Sequence, residues 1–362
     1  MERSGVVLVN AGNATSPGSP LRAVVVGYGY SGRAFHSYLI SLTEGLHLHG
    51  IVARDPKKAA AAAAAYPEAR IYRDFNGMLD DAAVDVVVLA TPSRSHCPLA
   101  VEALNAGKHV VTDKIMCLSL DECDRMIEAS QHNRKVLSVF QNRRWDGDFL
   151  TLRKLCENRQ LGDLRWLECA WQGPRPMRNW RASLAEGGGR FLDLGAHLID
   201  QVLLLFPSPV TRVYFRTHHD RSETDTESHA LLVLSFEDGC TAVVDTGSTH
   251  FASKPRFYAL GDQGTFVKYG LDPQEEAMKA GRIDDAREPE DRFGEVHGLE
   301  NVKKIPTVPG RWRSYYERFV VEVHGGDPAV PLEESRRVIA VVEAAFQSAR
   351  DNRTVETYIT TS

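Results

Sequence analysis

The chain has 362 residues, of which 43% are hydrophobic and 25% are charged, and its formal net charge at pH 7 is −5. This length suits two domains of ordinary size, and these proportions are typical of a soluble globular protein. A long basic run is missing, which argues against a nucleic acid or an acidic membrane surface as a partner. No apolar run approaches the length that spans a bilayer.

The N-terminus and the cysteines indicate the compartment. We predict a flexible tail over residues 1–20, because residues 6–9 are too short for the core of a signal peptide and a clearly basic start is missing. We expect a cytoplasmic protein with reduced thiols and no bound metal, since its cysteines form neither a C-x-x-C pair nor a metal-ligand spacing. These scattered cysteines are Cys97, Cys117, Cys123, Cys156, Cys169 and Cys240.

The first part of the chain alternates short apolar runs with helical stretches. The runs are continuously apolar, as expected of parallel strands that are covered on both faces. Strand-helix alternation with short links predicts a doubly wound sheet, so we predict a Rossmann dinucleotide-binding domain over residues 21–142. The predicted strands are 23–26, 48–53, 84–90, 109–112 and 136–140, and the predicted helices are 32–42, 56–66, 97–106 and 120–132.

After about residue 143 the strands become longer, and turns such as 237–239 and 261–264 join some of them directly. Such turns favour antiparallel pairing. We therefore predict an α+β domain over residues 143–362, with a large, mainly antiparallel open sheet whose helices cover one face. The predicted strands are 164–171, 210–217, 228–236, 241–248, 256–260 and 265–269, and the predicted helices are 147–158, 195–205, 311–324 and 333–350.

A glycine motif follows the first strand. Gly27-Tyr28-Gly29-Tyr30-Ser31-Gly32 reads G-x-G-x-x-G and stands between an apolar strand and a helix. Its glycines would supply a tight turn, room for backbone beside a pyrophosphate, and close helix-strand packing. The free N–H groups of the new helix would then face the phosphates. A plain glycine turn is the alternative, but the order of strand, motif, helix and second strand favours a dinucleotide site.

The end of the second predicted strand bears on which nucleotide is bound. A site for NAD usually carries an acidic residue there, whereas this chain has Ala53-Arg54-Asp55. Arg54 could pair with the 2′-phosphate of NADP, a charge-assisted contact worth roughly 1.5–3 kcal/mol. Alternatively, Arg54 is solvated and Asp55 only caps the next helix. We predict NADP, with NAD as a possible cofactor.

Two further strand ends carry polar residues. Thr91-Pro92 follows the third predicted strand, and Asp113-Lys114 follows the fourth. The carboxyl ends of parallel strands are where ligands bind in such folds. A solvated Lys-Asp pair is the alternative interpretation.

The second predicted domain offers a possible acid-base group. Asp193 and His197 are four residues apart, so a helix would bring them onto one side. Asp200 could orient the imidazole, and a histidine that titrates near neutrality suits proton transfer. The glycines at 187–189 allow close approach of the backbone to a ligand. The alternative is an aspartate that caps a helix and a structural histidine.

Together these motifs make the chain resemble the Gfo/Idh/MocA oxidoreductase family, and within it the NADP-linked scyllo-inositol-dehydrogenase-like branch. The resemblance runs from about Leu21 to Tyr358. It depends on residues 27–32, 91–93, 113–114, 141–146, 180–181, 193–201 and 266–270.

The resemblance implies roles for particular residues. Lys114, Asp193 and His197 would form the catalytic set. The implied cofactor-binding residues are Gly27, Tyr28, Gly29, Tyr30, Ser31, Gly32, Arg54, Thr91, Pro92, His96, Asp113, Lys114, Asn142, Arg143, Trp180 and Arg181. The implied substrate contacts are Lys114, Trp171, Asp193, His197 and Tyr269.

One departure from the family concerns the lysine. The family motif there is usually Glu-Lys-Pro, and this chain reads Asp113-Lys114-Ile115. Aspartate is one methylene shorter than glutamate, and isoleucine lacks the fixed φ of proline. Either the lysine is aimed differently in this chain, or Ile115 keeps the backbone conformation.

The resemblance implies an enzyme that interconverts an alcohol and a ketone or aldehyde on a sugar, inositol or related polyol. His197, relayed through Lys114, would take the hydroxyl proton. Two alternatives stay open: a redox-neutral enzyme that cleaves or eliminates glycosides, and a non-catalytic sensor of sugar and nucleotide. The family also implies a homodimer or homotetramer, formed through the sheet of the second domain.

Overall fold

The computed structural model describes residues 19–220 and 224–360, so most of the predicted tail lies outside the described residues. Its first sheet has six parallel strands in the order β3-β2-β1-β4-β5-β6. This order is that of a Rossmann fold, which confirms the predicted fold class. The strands are β1 (Leu21–Val26), β2 (Leu46–Val52), β3 (Arg70–Tyr72), β4 (Val86–Leu89), β5 (His109–Thr112) and β6 (Leu137–Val139).

Helices connect these strands, and polar side chains cap the N-termini of α2 and α5. Asp55 caps α2 by accepting from the Lys57 N–H at 2.8 Å, and Ser119 caps α5. The glycine motif leads into a π-helical turn (Ser31–Ser37) that continues directly as α1. The helices are α1 (Tyr38–Leu42), α2 (Pro56–Ala65), α3 (Phe75–Leu79), α4 (His96–Asn105) and α5 (Leu120–Asn133).

The second sheet has nine strands in the order β14-β13-β12-β11-β7-β10-β9-β8-β15. All neighbours are antiparallel except β7 and β10, and the turn at 237–239 joins β9 to β10 as predicted. The strands are β7 (Leu164–Gln172), β8 (Val210–His218), β9 (His229–Phe236), β10 (Thr241–Gly247), β11 (Phe257–Gly261), β12 (Thr265–Lys268), β13 (Gly294–His297), β14 (Val302–Ile305) and β15 (Val355–Ile359).

Two helices, α7 and α10, cover one face of the nine-stranded sheet. The residues of β9 alternate between buried and half-buried, as expected when one face packs against helices. The apolar side chains of that face and of both helices form one continuous core. The helices of this part are α6 (Gly147–Glu157), α7 (Ala196–Leu205), α8 (Gln274–Lys279), α9 (Arg313–Val323) and α10 (Leu332–Asp351).

Helix α9 packs on the first sheet, so the prediction that it covers the second sheet is wrong. Trp312, which precedes the helix, stacks on Phe35 with ring centroids 5.3 Å apart. Tyr315 meets Phe140, which follows β6, edge to face at 4.9 Å. These rings belong to the core cluster of β1, β2 and β4. The amphipathic pattern predicted the helix but could not identify its partner, because aromatic residues suit either sheet. The division near residue 142 stays a prediction.

Two further findings concern the helices and the cysteines. Among the described helices, none is both long enough and apolar enough to cross a membrane. All six cysteines are free thiols, and five of them are buried.

His109, at the start of β5, makes the stability of the first sheet depend on pH. Its Nδ1 accepts the Val136 N–H at 3.0 Å. Burial and the positive charge of Lys135 lower the pKa of His109 to about 4. The unfolded state, with a histidine pKa of about 6.5, therefore takes up a proton first as the pH falls.

We thus expect a stability contribution that is fully present above pH ~6.5 and is lost as the pH falls towards 4. Thermal unfolding at pH 7 and pH 5 should show a smaller difference in Tm for His109→Asn than for the unsubstituted protein. The same substitution at the exposed His132 is the control. An unchanged pH dependence in the His109 variant would contradict this assignment.

Candidate functional site

One large cleft opens at the carboxyl ends of the parallel strands, with a volume of about 1480 Å³. The first sheet lines it with the glycine turn and with the residues that follow β2, β4 and β5. The second part of the chain lines it with β7, with the segment between β7 and α7, and with the beginning of α7. The cleft thus brings both predicted halves of the site together.

The glycine turn has the geometry that its sequence predicts. Gly27 has a φ of +101°, and a Cβ there would lie 2.6 Å from the carbonyl oxygen of Ala90. A Cβ on Gly32 would lie 1.9 Å from the oxygen of Gly27, so Gly32 packs behind the turn and does not line the cleft. Gly29 lines the cleft, and apart from its chain neighbours no atom of the described residues lies within 4 Å of a Cβ placed there. The turn therefore leaves open space for a pyrophosphate, and the arrangement fits a dinucleotide.

The adenosine end of such a ligand would meet the region that follows β2. Arg54 lines the cleft and is exposed, and its guanidinium has no hydrogen-bond or ion-pair partner among residues 19–220 and 224–360. Asp55 does cap α2, as the alternative interpretation held. Lys58, which the sequence analysis missed, lines the same region one helical turn later. Asp74 also lines it, but its carboxylate caps α3.

Asp113 ties the glycine turn to the lysine segment. The Ser31 hydroxyl donates to Oδ2 of Asp113, and the Lys114 N–H donates to Oδ1 at 2.8 Å. The buried His36 lies 3.4 Å from Oδ2. Burial would raise the pKa of Asp113, but its contacts with His36, Lys114 and Ser31 lower it overall. Asp113 is therefore ionised, and its hydrogen bonds hold the glycine turn and the lysine segment together at the rim of the cleft.

Lys114 reaches across the cleft to the second part of the chain. Its Nζ lies 3.1 Å from Oδ1 of Asp193 and also donates to the Asp193 carbonyl oxygen. Arg181 donates to the same Oδ1 at 3.1 Å. The peptide bond between Lys114 and Ile115 is cis, and the side chain of Ile115 is buried in the core.

The charges of these cations control the ionisation of Asp193. Burial would raise the pKa of this carboxyl, but the positive charges of Lys114 and Arg181, with their hydrogen bonds, lower it to about 2. Asp193 is therefore a carboxylate throughout the neutral range. It can accept hydrogen bonds but cannot exchange a proton near pH 7.

His197 lines the same cleft, although only 5% of its surface is exposed. Its Nδ1 lies 3.3 Å from Oε1 of Gln141, and its ring stacks on Trp171 with centroids 6.1 Å apart. Burial and the positive charges of Lys114 and Arg143 lower the pKa of His197 well below 6.5. The expectation that it titrates near neutrality is therefore wrong, and the imidazole is neutral at pH 7.

Asp200 does not orient His197. Its carboxylate is bound by Arg144, with Nε–Oδ2 at 2.8 Å and Nη2–Oδ1 at 2.5 Å, in the interior of the protein. Helical spacing predicted that Asp200 lies close to His197 on the helix. The buried guanidinium of Arg144 instead binds both carboxylate oxygens of Asp200. Gln141 is the side chain that meets the imidazole, and it begins the 141–146 motif that the sequence analysis had singled out.

Arg143 holds the two parts of the site together. Its guanidinium lies between two indole rings, 4.8 Å from Trp171 and 4.5 Å from Trp312. It also pairs with Glu275 of α8 at 2.9 Å, and the Tyr30 hydroxyl donates to the same carboxylate at 2.7 Å. Glu275, which was not predicted, thereby links the glycine turn to the second part of the chain.

Most of the remaining predicted residues also line the cleft: Tyr28, Thr91, Pro92, Asn142 and Trp180. Two do not. His96 is buried behind the wall, with its ring nitrogens 2.8 Å from the Ile115 oxygen and 3.0 Å from the Thr91 oxygen. It positions those two segments and cannot itself touch a cofactor in the cleft. Tyr269 is 54% exposed and lies outside the cleft lining.

A separate cluster is formed by His229 of β9, Asp245 of β10 and His250, which follows β10. Ligand atoms of His229, Asp245 and His250 lie within 4.8 Å of one another, an arrangement that no spacing in the sequence indicated. The Asp245 carboxylate already binds His229 at 2.8 Å and the ammonium of Lys254 at 2.6 Å. Since a cation of the protein neutralises this carboxylate, we assign no metal here.

Known proteins resemble both halves of the chain. The family model described as oxidoreductase family, NAD-binding Rossmann fold, matches residues 21–141, and that of the GFO/IDH/MocA C-terminal domain matches residues 149–267. The uncharacterized oxidoreductase YdgJ of Escherichia coli is 33% identical over 92% of this chain and 98% of its own length.

A second relative carries a named activity, and a solved structure shares the fold. The scyllo-inositol 2-dehydrogenase (NADP(+)) IolW of Bacillus subtilis is 30% identical over 92% of this chain and 95% of its own length. The structure of the putative oxidoreductase yvaA from Bacillus subtilis has a TM-score of 0.87 at 28% identity, covering 95% of this chain and all of that one. This chain therefore belongs to the Gfo/Idh/MocA family of oxidoreductases, with a nicotinamide-binding Rossmann fold.

Proposed function

We propose that the protein is an NADP(H)-dependent dehydrogenase that interconverts a secondary alcohol and a ketone, or an aldehyde, on a sugar, inositol or related polyol. The observation that carries this proposal is the convergence of Lys114, Asp193 and His197 on the cleft that also holds the glycine turn. The named activity of IolW, a scyllo-inositol 2-dehydrogenase, supports the class of reaction.

The charge state of each side chain indicates which step of the reaction it could assist. When bound, the nicotinamide would accept the hydride or donate it. Asp193 is ionised, so it can bind a substrate hydroxyl and hold the Lys114 ammonium in place. The neutral imidazole of His197 can donate from Nδ1 to Gln141, which leaves Nε2 with the lone pair that accepts a proton. We propose that the hydroxyl proton reaches His197 through Lys114, and returns the same way in reduction.

The preference for NADP is part of the proposal. Its support is an exposed guanidinium, that of Arg54, in the cleft region after β2, with Lys58 beside it. A planar guanidinium can bind a phosphate through two hydrogen bonds, whereas the hydroxyl of NAD offers no charge to pair. IolW, which is named for its use of NADP(+), is 30% identical to this chain.

A screen of polyols and sugars with both nicotinamides tests the activity. We expect at least one neutral or acidic polyol to reduce NADP⁺ in proportion to the alcohol consumed, read as nicotinamide absorbance. Conversion of a glycoside without a net change in absorbance would instead indicate the redox-neutral enzyme. Binding of sugar and nucleotide without any turnover would indicate the sensor, and either result would contradict a dehydrogenase.

We also propose a cytoplasmic homodimer or homotetramer. Free thiols suit a reducing compartment. The face of the nine-stranded sheet opposite α7 and α10 carries the half-exposed side chains Trp166, Tyr214 and Leu260, which a second copy would cover. Light scattering would measure the mass in solution, and a monomer at every concentration would contradict the proposal.

A further inference from the structure

The substrate end of the cleft contains two arginines that the proposed chemistry does not use. Arg190 stands at the N-terminal end of the π-helical turn Phe191–Gly195, and its Nη2 donates to the carbonyl oxygen of Arg175 at 2.7 Å. The Nε of Arg190 is buried without a hydrogen-bond partner. Arg175 is exposed and lines the same cleft, and no described side chain pairs with its guanidinium. Two arginines thus line this end of the cleft, and the side chain of one contacts the backbone of the other.

The charges around these arginines do not balance. Within the cleft lining, Asp193 is the acidic group of this end, and it is already shared by Lys114 and Arg181. Burial and the positive charge of Arg181 lower the pKa of Arg190, and the carboxylates of Asp193 and Glu227 oppose this shift. Within the cleft lining, these four cations face the one carboxylate of Asp193, which leaves an excess of positive charge.

Two other carboxylates near this end do not remove the excess. Glu227 lies behind Gly189, outside the cleft lining, and its Oε1 accepts the Phe191 N–H at 2.6 Å. Glu186 lines the cleft but pairs with Arg94 at 3.2 Å. Burying a cation is costly, and a bound anion would offset part of that cost for the partly buried Arg190.

We propose that Arg190 and Arg175 bind an anionic substituent of the substrate, a carboxylate or a phosphate. This inference rests on the proposed dehydrogenase function and narrows its substrate to an acidic sugar or a sugar phosphate. Lys114 and Asp193 would then bind the reacting alcohol, while the arginine pair fixes the far end of the same molecule. Guanidinium groups suit this task because their paired N–H groups match the oxygens of either anion.

Steady-state kinetics of the full chain with NADP⁺ test this site, using myo-inositol and glucose as neutral probes, glucuronate as the carboxylate and glucose 6-phosphate as the phosphate. We expect one of the two anions to exceed both neutral probes in kcat/KM by about tenfold or more, the gain typical of one charge-assisted contact. Which anion does so distinguishes an acidic sugar from a sugar phosphate.

Substitutions then assign the effect to the arginines. Arg190→Gln should raise the KM of the preferred anion by about ten- to a hundredfold and change that of a neutral probe by less than about twofold. Arg190→Lys should restore part of the loss, since it keeps the charge. Because Arg190 also holds the Arg175 carbonyl, Arg175→Gln is the second variant. Arg153→Gln, at an exposed position of α6, is the control.

Two results would overturn the inference: neutral probes preferred over both anions, or equal effects of the arginine substitutions on neutral and anionic probes. If none of the four probes is turned over, the broader screen of polyols and sugars decides the dehydrogenase proposal, and calorimetric titration of glucuronate and glucose 6-phosphate decides the anion site separately. Binding that Arg190→Gln weakens at least about tenfold supports the site. No binding, or binding that both arginine variants retain, overturns it.

Discussion

Replacing Lys114 with alanine is expected to abolish turnover and to leave cofactor affinity nearly unchanged. The Lys114 ammonium contacts the carbonyl oxygen and Oδ1 of Asp193, so its loss removes the proton relay and leaves a carboxylate with one cation fewer. General acid-base groups contribute roughly 10²- to 10⁴-fold to a rate, so kcat should fall by at least about a hundredfold. The glycine turn is not altered, and NADPH binding measured by fluorescence should therefore stay within about threefold.

His197→Ala should have the same outcome, because the imidazole is the neutral base of the proposed site. This substitution also removes the ring that stacks on Trp171, so NADPH binding and a thermal melt serve as tests of folding. Lys154→Ala, on the surface of α6 at a distance from the cleft lining, is the control for lysine removal. Near-normal turnover in both the Lys114 and the His197 variants would refute the catalytic assignment.

Arg54→Ala is expected to raise the KM for NADP by about ten- to a hundredfold and to leave that for NAD within about twofold. Only NADP carries the 2′-phosphate that a guanidinium at the end of β2 could bind. Initial rates with each nicotinamide at saturating substrate measure the difference.

Lys57→Ala provides the matched control, since Lys57 is an exposed cation of the same helix turn that does not line the cleft. If the Arg54 substitution changes both Michaelis constants equally, the specificity of this region lies elsewhere. Lys58, which does line the cleft, would then be the next residue to replace.

The first sheet was largely predictable because buried parallel strands have a simple pattern. Strand β5 was predicted with the bounds that the structure shows, 109–112, since a continuous apolar run between two helices allows few other interpretations. The edge strand β14 was not predicted. Its sequence, Val302-Lys303-Lys304-Ile305, is mostly exposed, so the burial that makes a strand recognisable is missing.

In the site, the contacts between residues far apart in the sequence could not be predicted either. Motifs located Lys114, Asp193 and His197, because each stands at a strand end or in a glycine-rich segment. Glu275 carries no such signal, and it meets Tyr30 across 245 positions of sequence. The charge state of His197 also depended on neighbours that only the folded chain supplies, namely Lys114 and Arg143.

The position of α9 has a consequence for the order in which the protein can be made. The face of the first sheet that holds Val25 and Phe140 is covered by rings that lie more than 170 positions further along the chain, from Trp312 to Phe319. During synthesis this surface stays uncovered after the six parallel strands have emerged, until α9 emerges as well. The covering of this face is therefore a late step in folding, and a chain cut before α9 would expose an apolar patch.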